Sequence, residues 1–194
     1  VIATTGGEMD SVDASKFRIL NMLNTKYFIF PAGQGQTVPI ENPYAYGNAW
    51  FVNKVEYVDN ANQEIDALNT ILPTETAVVD TRFKDILKGV TTVHKDSLSS
   101  VRLTNYEPNR LVYETNNSKD GVVVFSEIYY PDGWHVTIDG QPAELARADY
   151  ILRTMYVPAG QHTIEMRFDP TSLHVTEGIA YGALALLVIG VAAV

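Results

Sequence analysis

The last stretch of the chain constrains everything before it. From Gly178 to Val194 the sequence reads Gly-Ile-Ala-Tyr-Gly-Ala-Leu-Ala-Leu-Leu-Val-Ile-Gly-Val-Ala-Ala-Val, without a charged residue. A helix needs roughly 20 consecutive apolar residues to cross the hydrocarbon core, where no water is present to satisfy a backbone. The run approaches that length and meets no charge or turn residue. It is therefore expected to be the start of a transmembrane helix, truncated where the chain ends. The alternative is a buried core helix, but a helix packed on the surface of a core shows a polar face, and this run has none. Gly178 and Gly182 have the four-residue spacing that lets helices approach closely in lipid, and Tyr181 suits an interfacial position.

The rest of the 194 residues must then fold as a domain tethered to that helix, large enough for one ordinary domain or two small ones. The formal net charge is −9, with no Lys/Arg cluster, which excludes nucleic acid as a partner because phosphate binding requires such clusters. There is no cysteine, so disulfides and thiolate metal sites are excluded and the redox compartment stays open. The chain begins with Val and carries no signal-peptide pattern, and is read as a piece of a longer protein.

Two patterns divide the remainder. Residues 1–89 read as a small α+β unit. Asp13 is placed to cap a short helix bearing Phe17, Leu20 and Leu23. Tyr27–Phe30 reads as a buried strand, Pro31–Tyr46 as a loop, and Asn48–Val58 as one long strand with Trp50, Val52 and Val55 inward. Asn60 and Gln63 match a capping box ahead of a helix whose face carries Ala61, Ile65 and Leu68, ended by Pro73. Thr76–Asp80 is a further strand. Residues 90–170 show strands only, at 101–103, 111–115, 121–130, 134–138, 151–157 and around 164–168. Period-two alternation and turn signals at Asp139-Gly140 and Pro158-Ala-Gly160 mark these strands, which suggests an antiparallel β-sandwich. Residues 171–177 form a connector and 178–194 the start of the membrane helix. The fold class is thus an α+β N-terminal unit plus an antiparallel β-sandwich, followed by a truncated transmembrane helix.

No catalytic motif is visible. His94, His135, His162 and His174 are scattered without a second ligand at metal spacing, so no metal site and no cofactor is expected. Glu127 and Asp139 could be imagined as a carboxylate pair for glycoside hydrolysis, but a strand residue and a turn residue explain them better. The aromatic group Tyr129, Tyr130 and Trp134 has two readings. Flat rings suit sugars, and Arg147 and Asp149 in a neighbouring loop could bond sugar hydroxyls. Equally, Trp134 could anchor the sandwich core. The ligand-binding candidates are therefore Tyr129, Tyr130, Trp134, Arg147 and Asp149, and no catalytic residue is assigned.

Several blocks occur in an order that carries a resemblance. They are Leu20-Asn-Met-Leu-Asn-Thr-Lys-Tyr-Phe28, Gly47-Asn-Ala-Trp-Phe51, Phe125-Ser-Glu-Ile-Tyr-Tyr-Pro131, Gly133-Trp134, Ile138-Asp-Gly140, Val157-Pro-Ala-Gly-Gln-His162 and Phe168-Asp-Pro170. Together they resemble the C-terminal part of the YfhO family of bacterial membrane proteins, over nearly the whole chain. That resemblance implies a multi-pass membrane protein similar to the GT-C glycosyltransferases, which use polyprenyl-phosphate-linked sugars to glycosylate cell-envelope polymers. The acidic catalytic residues of those enzymes lie in a loop between early membrane helices, to which nothing here corresponds. The chain is therefore expected to be an extracytoplasmic accessory domain, with the bilayer as partner and an envelope glycan or polyprenyl-phosphate sugar as a further one. Its acidic charge and the lack of Lys or Arg between Pro170 and Gly178 agree with an outside location. The competing class is a non-enzymatic, membrane-tethered glycan-binding or interaction module.

Overall fold

A computed structural model describes residues 17–33 and 35–192; the expected cap at Asp13 lies outside them. A short helix α1 (Arg18–Met22) leads into a hairpin, β1 (Tyr27–Gly33) and β2 (Gln36–Glu41). Then follow β3 (Ala49–Phe51), β4 (Lys54–Val58), α2 (Ala61–Ala67), β5 (Thr76–Asp80), β6 (Ser100–Glu107), β7 (Arg110–Asn117), β8 (Gly121–Ile128) and β9 (Trp134–Ile138). The strands β10 (Gln141–Ala143), β11 (Ala146–Ala148), β12 (Leu152–Val157) and β13 (Gly160–Phe168) complete the domain, and α3 (Thr171–Ala192) ends the chain.

Two sheets form the body. A five-stranded antiparallel sheet has the order β10-β9-β13-β7-β6, and a six-stranded sheet the order β3-β8-β12-β11-β5-β4. The second sheet is antiparallel apart from the parallel pair β4–β5, which α2 connects as a crossover. Strands from before and after residue 90 share its hydrogen bonds: β3 pairs with β8, and β5 pairs with β11. Only Val52 and Asn53 separate β3 from β4, yet these strands occupy opposite edges. The sheet must therefore curl until its edges meet. Val52 N–H reaches the Val122 carbonyl at one edge, and Asn53 N–H the Glu75 carbonyl at the other. This curl explains why 48–58 is two strands rather than one.

Curling gives the sheet two buried faces. Trp50, Val52, Val55, Val79, Val122, Val124 and Leu152 point to one core with Met22 and Leu68. Phe51, Val123, Phe125, Met155 and Val157 point to a second core, shared with Leu111, Tyr113, Ile164 and Met166 of the five-stranded sheet. Period two is preserved within each strand, but both faces are apolar, so the strands read as continuous hydrophobic runs. The Asn60 cap is formed, with its side chain accepting from Gln63 N–H at 3.0 Å, while the Gln63 side chain reaches back to Asp59 N–H. The inward residue of α2 is Glu64 alongside Leu68, while Ile65 is 46 % exposed.

Further expectations change. Tyr27–Phe30 is a strand but not a buried one, because among the described residues β1 pairs with β2 alone and Tyr27 and Ile29 are exposed. Its partner β2 lies in the stretch expected to be a loop. The final helix starts at Thr171, so residues 171–177 are its first turns rather than a separate connector. This helix is 22 residues long, with mean hydropathy 1.9 over its apolar window and no part of that window buried, and it is long and apolar enough to cross a membrane.

The helix is joined tightly to the sandwich. Asp169 N–H donates to the Gly133 carbonyl at 2.7 Å. Gly133 has φ +84, and a Cβ there would sit 2.8 Å from the Phe168 ring and 3.2 Å from the Pro170 Cα. Both the backbone conformation and the space demand glycine. Gly133→Ala is expected to destabilise the domain by about 1–3 kcal/mol, read as a lowered melting temperature of the full chain in detergent micelles.

Candidate functional site

The loop from Tyr129 to Gly133 links β8 to β9 and so joins the two sheets at one end of the sandwich. At that same end β13 runs into α3, β6 turns into β7, and β11 turns into β12. Tyr129 N–H donates to the Ile151 carbonyl at 2.7 Å, which ties the loop to the β11–β12 turn. The aromatic candidates and the Arg147–Asp149 candidates therefore meet, although some 20 residues of chain separate them.

Tyr129 packs edge-on to Phe83, with centroids 5.6 Å apart. It lines two adjoining clefts. One, of about 470 Å³, also takes Tyr130, Trp134, Glu144 and Leu145. The other, of about 550 Å³, takes Arg82, Phe83, Arg147 and Tyr150. Tyr130 is 55 % exposed and offers its ring to solvent. Trp134 is half-buried and used on both sides. The Arg153 guanidinium lies 3.9 Å from its ring centroid, and Phe168 packs on it at 5.3 Å. Arg153 is itself buried, donating to the Ile128 carbonyl at 3.1 Å, and burial holds its pKa below the usual arginine value.

Arg147 lies in β11 and Asp149 in the β11–β12 turn. Arg147 donates to Glu64 Oε2 at 2.7 Å, while Glu64 Oε1 accepts from Tyr150 N–H at 2.9 Å. Glu64 is wholly buried. Such a pair is worth little against an apolar replacement, but removing one partner would strand a buried charge. Its structural work is visible in the turn. Asp149 and Tyr150 both take positive φ, 52 and 72, a strained choice for non-glycine residues. Glu64 ties the second of these peptides, and Asp149 Oδ1 ties the turn to β5 by accepting from Val78 N–H at 2.9 Å. Asp149 is 0 % exposed, so it faces the protein and not a solvent-borne ligand.

Burial pushes the Asp149 carboxyl up to about 7, with the negative charge of Glu64 adding to the shift and the Val78 hydrogen bond opposing it. Glu127 is likewise raised by burial, with Arg153 opposing. Asp139 sits in the β9–β10 turn at the opposite end of the sandwich, so the two carboxylates do not form a pair. There it accepts from Thr163 N–H at 2.8 Å and lies 2.6 Å from His162. Among the described residues, no group of three His, Asp or Glu side chains is placed to hold a metal.

Three residues of this region went unremarked in the sequence: Glu64, Phe83 and Arg153. For Arg153 a signal existed. It alternates with Met155 and Val157, and all three face the core between the sheets. Glu64 gave none, because an acidic residue in the first turn of a helix is ordinarily a solvated partner of the helix dipole.

The family model described as "Bacterial membrane protein YfhO" matches residues 22–180. The chain belongs to the YfhO family. Searches of curated proteins and of solved structures find no match. The matched region of this YfhO chain takes in both sheets, the aromatic loop, the β11–β12 turn and the first turns of α3. The membrane assignment thus rests on the family together with the helix.

Two measurements separate structural from surface roles. Trp134→Ala should lower stability by about 2–4 kcal/mol, since the ring contacts Arg153 and Phe168; chemical denaturation of the chain would show it. The second concerns pH. The folded-state pKa of Asp149 lies above its ordinary value of 3.8, so the native state holds more protons than the unfolded chain between about pH 4 and 7. Stability contributed by the protonated carboxyl is present below that window and falls as pH rises through it. Asp149→Asn should remove this slope, which is at most on the order of 1 kcal/mol per pH unit, in unfolding curves taken across the window.

Proposed function

We propose that this chain is an extracytoplasmic accessory domain of a multi-pass membrane protein resembling the GT-C glycosyltransferases, and that it holds a glycan at the membrane surface. The observation that carries the reading is the position of the aromatic clefts. Tyr129, Tyr130 and Arg147 line openings at the end of the sandwich from which α3 departs. A sugar carried on a polyprenyl phosphate, or an envelope polymer being extended beside the bilayer, would be met at that end. Tyr130 supplies an exposed ring face, and Arg147 lines the adjoining cleft as a hydrogen-bond donor. Trp134 lines the first cleft, and Asp149 holds the turn that carries Tyr150 of the second. Chemistry on the sugar would be done elsewhere in the parent protein.

The acidic composition and the Pro170–Gly178 stretch without Lys or Arg support the outside location, since cytoplasmic flanks are enriched in those residues. The chain has no cysteine, so a single reporter thiol can be placed. Lys119→Cys, at an exposed turn far from α3, should react with a membrane-impermeant maleimide on intact cells or spheroplasts. Labelling only after lysis would overturn the placement. For the glycan, Tyr130→Ala should leave melting within about 0.5 kcal/mol while weakening binding of envelope glycans on an array. Turnover of a polyprenyl-phosphate sugar by this chain alone would contradict an accessory role.

A further inference from the structure

Among the described residues the hairpin β1–β2 pairs with no other strand, with Phe28 packed on Phe17 at 5.6 Å, and its composition is unusual for an exposed element. From Tyr27 to Ile40 there is no charged residue: Tyr-Phe-Ile-Phe-Pro-Ala-Gly-Gln-Gly-Gln-Thr-Val-Pro-Ile. The register places Phe28 opposite Ile40 and Phe30 opposite Val38 on one face, and Ile29 opposite Pro39 on the other. The first face is apolar, and the second is largely so, with Thr37 opposite Pro31 and Glu41 opposite Tyr27 at the base. Ile29 is 71 % exposed, Tyr27 59 % and Val38 47 %. An isolated two-stranded hairpin is marginal in water, and apolar side chains on both of its faces add nothing to solubility.

Its base is nonetheless fixed firmly to the sandwich. Asn42 N–H donates to the Lys26 carbonyl at 2.7 Å, and the buried Asn42 side chain donates to Asn21 Oδ1 at 2.9 Å and the Thr25 carbonyl at 2.8 Å. Ser126 near the end of β8 donates its hydroxyl to the Met22 carbonyl at 2.7 Å, and Asn24 bonds Asn48 at 3.1 Å. These contacts locate the base at the exit of β8, beside the loop that clasps the start of α3. The hairpin thus springs from the same end of the sandwich as the membrane-crossing helix. Tyr106 (68 % exposed), Ile128 (55 %) and Tyr130 (55 %) lie at that end too.

We propose that the β1–β2 hairpin is a second membrane anchor, which lies in the lipid interface beside α3. Aromatic and apolar side chains suit the headgroup boundary, and the charged residues, Lys26 and Glu41, sit at the base, where they stay in the hydrated layer. Seven extended residues reach roughly 20 Å, enough to span the interface from the sandwich end. The depth is limited by the backbone. A two-stranded hairpin leaves the outward N–H and C=O groups of both edges unpaired, so it cannot enter the hydrocarbon core and must stay in the hydrated interfacial layer, about 5–10 Å deep. Two attachments at one end would fix the tilt of the domain over the membrane more firmly than the junction at Gly133 and Asp169 alone. The inference depends on α3 crossing the membrane and not on the glycan reading or the side of the bilayer.

The test uses the full chain with one introduced cysteine, carrying an environment-sensitive fluorophore, reconstituted into phosphatidylcholine/phosphatidylglycerol vesicles. Ile29→Cys should be quenched by lipids doxyl-labelled near the headgroup at least about twofold more than Lys119→Cys, and more than by lipids labelled deep in the chain. Adding Tyr27→Glu and Phe30→Glu to the Ile29→Cys chain should reduce that quenching while the melting temperature holds, since the hairpin lies outside both cores. Equal quenching at Ile29 and Lys119 would overturn the proposal. So would a label at Ile29 that is shielded from aqueous iodide yet untouched by doxyl lipids, because that result means contact with protein, from a second copy or this one.

Discussion

The curl of the six-stranded sheet is the constraint on which the rest of the domain depends. Joining β3 to β4 through two residues forces the sheet edges together, and the enclosed space is filled by Trp50, Val55, Val79, Val124 and Leu152. Because the sheet is covered on both faces, its strands lose the polar side that an exposed sheet would show. Val122 to Phe125 are each wholly buried. The same closure binds residues 49–80 to residues 121–157 in one hydrogen-bonded unit, so the pattern change near residue 90 marks a change in the chain's composition of elements while the sheet runs across it.

The second consequence is a polarity between the two ends of the sandwich. Turns at one end are built from Asp139-Gly140, Asn117–Asp120 and Pro158–Gly160, with polar side chains closing them: Asp120 accepts from Ala159 N–H, and Asp139 from Thr163 N–H. At the other end lie the aromatic loop, the strained β11–β12 turn, the hairpin base and the start of α3. The strain there is held by Glu64, Asp149 and Val78, buried groups whose removal would release the turn. Apolar exposure is concentrated at the end that carries the membrane helix. For a protein tethered to a bilayer this is the end where exposed rings cost least, since the interface replaces bulk water as their surroundings.

Sequence pattern located most strands, because period-two alternation and turn dipeptides are local. β5 and β9, the Asp139-Gly140 turn and the Asn60 cap are all decided within a few residues. The shorter strands β2, β10 and β11 escaped, since β2 and β10 are interrupted by proline and the three residues of β11 carry too little pattern to register. Among the candidate site residues, Tyr129, Tyr130, Trp134 and Arg147 do gather around adjoining clefts. Asp149 is in the β11–β12 turn but points inward. A polar residue in a loop is ordinarily solvent-facing, and only the approach of β5 from a distant part of the chain encloses this one.

The sequence alone determined the membrane helix, the acidic and cysteine-free character, and the β-rich nature of the domain. Each follows from composition or from spacing within one segment, where neighbours along the chain are neighbours in space. Tertiary structure decided which apolar runs are buried. Tyr27–Phe30 and Val122–Phe125 are both strongly hydrophobic as sequence, yet in the first every second residue is exposed and the other is sealed in the middle of the fold. It likewise decided that Glu64 and Asp149 are buried acids and that Arg153 lies beneath a tryptophan. Burial depends on what a remote part of the chain brings to the other side of a strand or turn, and local pattern holds no record of that partner.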